Sequence, residues 1–173
     1  MKESNLQEAE FIKYLESCKG LLVKVARIYC YDAEDRKDLI QDIILQLWKS
    51  FPKYDNTYAI TTWTYRIALN VSISFLRKAT KRHSAHAGYI QHFEIFHFED
   101  VAPDAKLEHI YKFIEGLKSI DKAIMILFME GCKNKEISAV TGMTDSNIST
   151  RKERIKNKLK QYFETQQKHY NEI

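Results

Sequence analysis

Glycine and proline are scarce in this chain of 173 residues, with five and two occurrences respectively. These two residues mark most turns and hairpins, and the chain also lacks any sustained alternation of apolar and polar residues. A β-sheet fold is therefore not expected. Leucine, isoleucine, lysine and glutamate are frequent instead, which predicts an all-α fold.

Cysteine is scarce as well. The three cysteines lie far apart, with no C-x-x-C pair, at Cys18, Cys30 and Cys132. Neither a disulfide framework nor a thiolate zinc site is predicted. Four histidines fall within one segment, at His83, His86, His92 and His97. No cysteine or carboxylate cluster accompanies them at zinc-site spacing, so we expect no metal ion and no cofactor. The few, widely spaced cysteines also favour a reduced intracellular setting.

Long hydrophobic runs are also missing. No stretch approaches the roughly 18 apolar residues of a membrane span. The N-terminus, MKESNLQEAE, is polar and lacks the apolar core of a signal peptide. With 45% hydrophobic and 29% charged residues, the composition is that of a globular protein, and a cytoplasmic location is predicted.

Catalytic motifs are absent from the sequence too. It contains no evident pair of nucleophile and base, no paired acids and no phosphate-cradling glycine loop. We therefore expect neither an enzyme nor a small-molecule substrate. The formal net charge of +4 is mild but compatible with nucleic acid, and its distribution along the chain is more informative than its size.

The segment of residues 61–81 predicts a central helix with two apolar faces, and hence a helix buried on both flanks. Between the faces runs a stripe at helical spacing, made of Trp63, Arg66, Asn70, Ser74, Arg77 and Lys81. Lys78 adds to the basic run that ends the helix. Cationic groups suit phosphate, an amide can pair with a base edge, and an indole can stack on an unpaired base. On these residues alone, a nucleic-acid surface and an ordinary solvated face remain equally open.

An earlier helix is predicted over residues 35–50, with a broad apolar face, and Pro52 follows its end. Its opposite face carries Asp38, Gln41, Asp42, Leu45, Gln46 and Lys49. Leu45 is out of place among these polar residues. A single exposed leucine is common, but one ringed by acids and amides can also form the apolar centre of a protein-binding patch.

The helical pattern is lost over residues 83–108, where Gly88 and Pro103 interrupt the chain. We interpret this segment as a linker between two domains, residues 1–82 and 109–173. Its four aromatic residues are too many for a free tether, which predicts docking on a domain or a partner; they are Tyr89, Phe93, Phe96 and Phe98.

The last third of the chain has the pattern of a helix-turn-helix motif. A short helix with Asn134 as its predicted N-cap is followed by Gly142 and by a longer helix capped by Thr144. The solvent side of this second helix is predicted to include Ser146, Asn147, Ser149, Thr150, Arg151, Lys152 and Arg154. This composition is typical of a helix that contacts base edges and phosphates in a major groove.

Two helical domains, each with a surface suited to nucleic acid and joined by a linker, resemble a bacterial sigma factor. More closely, the chain is similar to the extracytoplasmic-function (ECF) group of the sigma-70 family. The resemblance rests on AEDRKDLIQDIILQLW and TTWTYRIALNVSISFLRK in region 2, and on residues 121–159 in region 4. It covers nearly the whole chain.

The resemblance implies roles for the surfaces found above. The face of helix 35–50 from Asp38 to Lys49 would bind core RNA polymerase, and the stripe and Lys78 of the central helix would melt the promoter and capture an unpaired minus 10 base. Asn70 and Arg66 occupy the family's positions in the R-I-A-x-N pattern. The helix 145–160 would recognise the minus 35 element, although Ser149 replaces a frequently basic residue. The linker would run through the polymerase, and an anti-sigma factor, often anchored in the inner membrane, is implied as a further partner.

Two alternatives compete with this interpretation. One is a stand-alone helix-turn-helix transcriptional regulator that binds duplex DNA without polymerase. The other is an RNA-binding or adaptor protein that uses the basic stripe. The region 2 pattern weighs against both of them.

Overall fold

The structure is a computed structural model that describes residues 2–79 and 105–171. These ranges contain seven α-helices, one short 3-10 helix at Phe51–Lys53 and no β-strand. The helices are α1 (Lys2–Tyr29), α2 (Ala33–Ser50), α3 (Ile60–Ala79), α4 (Ala105–Glu115), α5 (Ser119–Met129), α6 (Asn134–Thr141) and α7 (Asp145–Asn171). The chain divides into two compact units, Met1–Ala102 and Pro103–Ile173. The predicted all-α fold of two helical domains is confirmed.

In the N-terminal unit, α1, α2 and α3 pack against one another. Their shared core is built from fully buried side chains that include Phe11, Leu22, Leu39, Ile43 and Leu47. The Oδ1 atom of Asp32 starts α2 by accepting hydrogen bonds from the backbone N–H groups of Glu34 and Asp35, at 2.9 and 3.0 Å. The start and end of α2 follow the predicted helix closely.

A polar contact also joins α1 to α3 inside this core. The hydroxyl of Thr64 donates to the carbonyl of Ile60 at 2.7 Å. Its single proton is thereby used, so the phenol of Tyr14 is the donor in the 2.6 Å bond between Tyr14 and Thr64. Burial raises the pKa of Tyr14, which keeps the phenol protonated in this role.

The central helix α3 is not fully buried on either flank. Tyr65 and Leu69 are buried on one face, but Ile73 and Leu76 of that face are half-buried, as are Ile67, Val71 and Phe75 of the other. The expectation of two buried flanks is therefore wrong. The reason is that no helix of the described N-terminal residues covers the second face, which lines an open groove instead.

In the C-terminal unit, α5, α6 and α7 pack together and α4 contacts α5. Gly142 ends α6 in the left-handed conformation, with φ of 71°, and its N–H bonds to the carbonyl of Ser138. The N-cap of α6 is Lys133 rather than Asn134. The carboxylate of Glu136 accepts from the N–H of Lys133 at 2.7 Å, which leaves the Asn134 amide able to reach α7.

The predicted linker is only partly described. Helix α4 begins at Ala105, so the last four residues of the predicted segment 83–108 are helical. The four histidines and four aromatic residues singled out there lie outside the described residues. Within the described ranges, no three or more His, Cys, Asp or Glu side chains are grouped as metal ligands. None of the helices described is both long and apolar enough to span a membrane.

Candidate nucleic-acid and protein interfaces

A groove of about 420 Å³ lies between α2 and α3. Its apolar lining consists of Leu45 from α2 and Ile67, Val71 and Phe75 from α3. Polar side chains from both helices complete the lining: Asp42, Gln46, Asn70, Ser74 and Lys78. An apolar surface bordered by an amide, a hydroxyl and an ammonium group can accept a flat, polar-edged ring or an amphipathic side chain.

This groove brings together two sets of residues that the sequence assigned to different partners. Asp42, Leu45 and Gln46 come from the predicted polymerase-binding face, and Asn70, Ser74 and Lys78 come from the predicted minus 10 surface. Leu45 is half-buried because it borders the groove, which accounts for an apolar residue on a polar face. The sequence could not predict the shared groove, since helical periodicity does not say which helix faces which.

The remaining predicted residues of the N-terminal unit lie outside the groove lining. Asp38, Gln41 and Lys49 are exposed on α2, and Arg66 and Arg77 are exposed on α3. Lys81 lies outside the described residues.

Trp63 belongs to an aromatic cluster instead of standing alone on the stripe. Its ring centroid lies 5.2 Å from that of Tyr54 and 6.1 Å from that of Tyr14. Tyr14 in turn stacks on Phe51 at 5.2 Å. The hydroxyl of Tyr54 donates to the carbonyl of Tyr58 at 2.9 Å, which ties the connection before α3 to this cluster. Trp63 is therefore half-buried, with one part of its indole anchored by its neighbours.

In the C-terminal unit, the predicted recognition residues of α7 are not all solvent-facing. Ser146, Asn147, Ser149, Thr150 and Arg154 are exposed, as the pattern predicts. Arg151 and Lys152 are half-buried. Packing against α5 and α6 is the reason for the difference, and the contacts of these cations are specific.

Asp121 of α5 binds two arginines of α7. Its carboxylate is only 3% exposed, and its Oδ1 atom lies 2.6 Å from Nη1 of Arg151. Its Oδ2 atom lies 3.0 Å from Nη2 of Arg154. Arg151 also donates from Nε to the Asn147 side chain at 3.3 Å. Both arginines predicted to bind DNA thus have an acidic partner within the protein.

Lys152 has internal partners as well. Its Nζ donates to Oδ1 of Asn134 at 3.1 Å and lies 4.5 Å from the ring centroid of Phe128. The Asn134 amide donates to Oγ of Ser149 at 2.8 Å, so one side chain of α6 fixes two positions of α7. The contacts of Asp121, Asn134 and Phe128 with α7 were not predicted, because no local signal marks contacts between residues 15 to 33 positions apart.

Known protein families match both units. The family model for Sigma-70 region 2 matches residues 14–82, and that for Sigma-70, region 4 matches residues 107–159. A curated relative, the RNA polymerase sigma factor SigV of Bacillus subtilis (strain 168), is 28% identical over 152 residues, covering 87% of this chain and 89% of SigV.

Solved structures with the same fold include two complexes. The sigma factor RpoE bound to the anti-sigma factor NepR from Bartonella quintana has a TM-score of 0.69 and 18% identity, covering 90% of this chain and 97% of that chain. CnrH in complex with the cytosolic domain of CnrY has a TM-score of 0.65 and 17% identity, covering 91% of this chain and 90% of that chain.

Proposed function

Because the chain belongs to the sigma-70 family of RNA polymerase sigma factors, in the ECF group, we propose that its helical faces divide the work of promoter recognition between them. The protein directs transcription initiation and is not itself an enzyme, since bond formation belongs to the polymerase. The observation that carries this proposal is the α2–α3 groove, with its mixed apolar and polar lining.

Core RNA polymerase binds the outer face of α2. Asp38, Gln41 and Lys49 are exposed there, next to Asp42, Leu45 and Gln46 at the edge of the groove. A half-buried leucine within a polar rim has the composition of an interface centre, where apolar burial contributes affinity and the surrounding polar groups fix orientation.

An unpaired base of the minus 10 element binds on α3. Asn70 offers an amide to a base edge, Ser74 a hydroxyl, and Lys78 a cation to the adjoining phosphate, above apolar residues that can contact the base. Arg66 and Arg77 supply further phosphate contacts along the same helix, and Lys81 follows them in sequence. Unpairing a base costs about a few kcal/mol, which these contacts must offset.

The minus 35 element is bound in its duplex form by α7. Helices α6 and α7 and the left-handed Gly142 between them have the geometry of a helix-turn-helix, whose second helix enters the major groove with its N-terminal residues leading. The exposed residues at the start of α7 are Ser146, Asn147, Ser149 and Thr150. These side chains can donate to and accept from base edges.

A further partner is an anti-sigma factor. Two solved structures with this fold are complexes, one with the anti-sigma factor NepR and the other with the cytosolic domain of CnrY. We infer that this chain is held by such a protein, which can be membrane-anchored. Transcription takes place beside the chromosome, so we place the protein in the cytoplasm.

The direct test is run-off transcription with purified core polymerase on fragments of the source genome, with and without the protein. We expect promoter-specific transcripts only when it is present, and their start sites give its minus 10 and minus 35 sequences. If no transcripts form and the protein does not co-elute with core polymerase, the proposal is wrong. Binding to duplex DNA alone would then identify a stand-alone helix-turn-helix regulator.

A further inference from the structure

We propose that Asp121 is a positioning residue that holds Arg151 and Arg154 away from the DNA, so that sequence recognition by α7 depends on its short uncharged side chains. The inference rests on the proposed function only in taking α7 as the DNA-binding helix. It assigns to an acidic residue on a different helix a part in limiting the phosphate contacts of α7.

The contacts of Asp121 favour this role. A carboxylate that is 3% exposed has lost most of its contact with water, and a buried charge left without a partner is strongly destabilising. It accepts three hydrogen bonds, one from Arg151 at 2.6 Å and two from Arg154 at 3.0 and 3.4 Å. A short charge-assisted bond of this kind is among the strongest that side chains form.

The two guanidinium groups differ in their exposure and in their contacts within the protein. Arg151 is bound at both ends, to Asp121 through Nη1 and to Asn147 through Nε, and its side chain is only 27% exposed. Arg154 is 52% exposed and contacts Asp121 through Nη2. An arginine released from Asp121 would keep its charge at any physiological pH and would become available to phosphate.

The arrangement limits the part of binding that does not depend on sequence, because phosphate contacts strengthen binding to every duplex. Two arginines free to bind phosphate would raise the affinity for the correct site and for the other duplexes alike, without adding recognition of sequence. Held by Asp121, they leave the leading turns of α7 to Ser146, Asn147, Ser149 and Thr150, which contact base edges without adding charge.

The test measures the salt dependence of binding by the full-length chain to a duplex of unrelated sequence. Asp121→Asn keeps the side-chain size and releases both arginines. We expect the slope of log affinity against log salt concentration to steepen by about 0.9 for each further phosphate that an arginine neutralises, and so by up to about 1.8. The affinities for the minus 35 duplex and the unrelated duplex should both rise at low salt, while their ratio stays close to the wild-type value.

Two variants control this experiment. Glu115→Gln makes the same change in net charge at an exposed position of α4, and it should leave the slope unchanged. Asp121→Glu keeps the carboxylate and should restore most of the wild-type slope. A slope in Asp121→Asn that equals that of Glu115→Gln would overturn the proposal.

Arg154→Gln provides a second test that does not depend on whether Asp121→Asn folds. If Asp121 holds Arg154 away from DNA, the salt slope of Arg154→Gln equals that of the wild type. A slope reduced by about 0.9 would mean that Arg154 already contacts phosphate, and the proposal would be wrong. Run-off transcription tests the proposed function separately. If the wild-type protein supports promoter-specific transcripts, the proposed function stands even when the binding data contradict the role of Asp121. If it supports none, both proposals are wrong.

Discussion

At the scale of single residues, Leu45 is an apolar side chain on an otherwise polar helix face. It lies half-buried on the polar face of α2, at the border of the groove. Replacing it with a charged residue leaves the core of the N-terminal unit intact, since that core is formed by the opposite face of the helix. The substitution therefore separates binding from folding.

We expect Leu45→Asp to abolish binding to core polymerase while thermal unfolding, followed by circular dichroism, stays close to that of the wild type. An aspartate at an interface centre would bring a desolvated, unpaired charge next to Asp42. Ile12→Asp is the matched control, because Ile12 is a 40% exposed apolar residue on α1 away from the groove. Promoter-directed transcription by Leu45→Asp at the wild-type level would show that the assigned face is wrong.

Cys18 is a second single residue with a predicted effect, because its thiol makes the free energy of unfolding depend on pH. Burial raises the pKa of its thiol to about 11, from an ordinary value of 9.0, and the thiol donates to the Leu15 carbonyl. As pH rises above 9, the unfolded chain releases this proton while the folded chain keeps it, so the free energy of unfolding falls until the folded pKa is reached. Between the two pKa values the loss is on the order of 1.4 kcal/mol per pH unit.

Urea unfolding at pH 8, 9 and 10 tests this expectation. Tryptophan fluorescence is a suitable signal because Trp48 and Trp63 both lie in the N-terminal unit. Cys18→Ala removes the titrating thiol, so its stability should fall less steeply with pH than that of the wild type. Equal slopes for the two proteins would contradict the assignment to Cys18. Burial also raises the pKa values of Tyr14 and Tyr29, but these phenols affect stability mainly at higher pH, because their ordinary pKa is 10.0.

At the scale of helices, the turn between α6 and α7 depends on one backbone conformation. Gly142 has φ of 71°, and a Cβ atom at this position would meet nothing within 4 Å, so any cost of a side chain comes from the backbone and not from a clash. Gly142→Ala should therefore destabilise the C-terminal unit by about 1 to 2 kcal/mol. The same substitution should weaken minus 35 binding, because it alters the angle at which α7 is presented.

At a second glycine, replacement by alanine should stabilise the protein instead. Gly20 lies inside α1 with open space around its Cβ position. Gly20→Ala should stabilise the N-terminal unit by about 0.5 to 1 kcal/mol, since it lowers the entropy of the unfolded chain and suits a helix. Thermal unfolding of the two variants tests both predictions. If Gly142→Ala is more stable than the wild type, the turn does not require a residue in the left-handed conformation.

Helix positions were largely predictable because they depend on local sequence. The apolar spacing and Pro52 predicted α2 within two residues at its start, and Gly142 predicted the turn. The N-cap of α6 was not predictable in this way. The carboxylate of Glu136 accepts from the N–H of Lys133, while the Asn134 side chain donates to the distant Ser149 and accepts from Lys152.

Contacts between helices were the part that sequence could not predict. Asp121 has the pattern of an ordinary acidic residue in the first turn of a helix, and its partners lie 30 and 33 positions later. In the same way, periodicity assigned Trp63 and Asn70 to one stripe, yet tertiary packing draws the first into an aromatic cluster and places the second on the groove. Family resemblance predicted which surfaces matter, and packing determined what each side chain contacts.

At the scale of the whole molecule, each unit has a core of its own. Leu127 is fully buried in the C-terminal unit, and Leu127→Ala should destabilise that unit by about 2 to 5 kcal/mol. Since both tryptophans belong to the other unit, their fluorescence transition should stay where it is in the wild type. Circular dichroism should report an additional, earlier transition.

Leu47→Ala is the matched control, because Leu47 is buried to the same extent in the N-terminal unit. In this variant the fluorescence transition itself should move to a lower temperature. A single transition shared by both signals in Leu127→Ala would mean that the two units unfold together.

The division into units with separate cores also sets an order in time during synthesis. The core of the N-terminal unit is complete once α3 has been made, at Ala79, whereas the C-terminal unit needs α7, which ends at Asn171. At a translation rate of about 5 to 20 residues per second, the ribosome works for on the order of 5 to 20 seconds between these two points. Helix α2, which we propose binds polymerase, can therefore fold in the nascent protein before α7, which we propose binds duplex DNA, has been made.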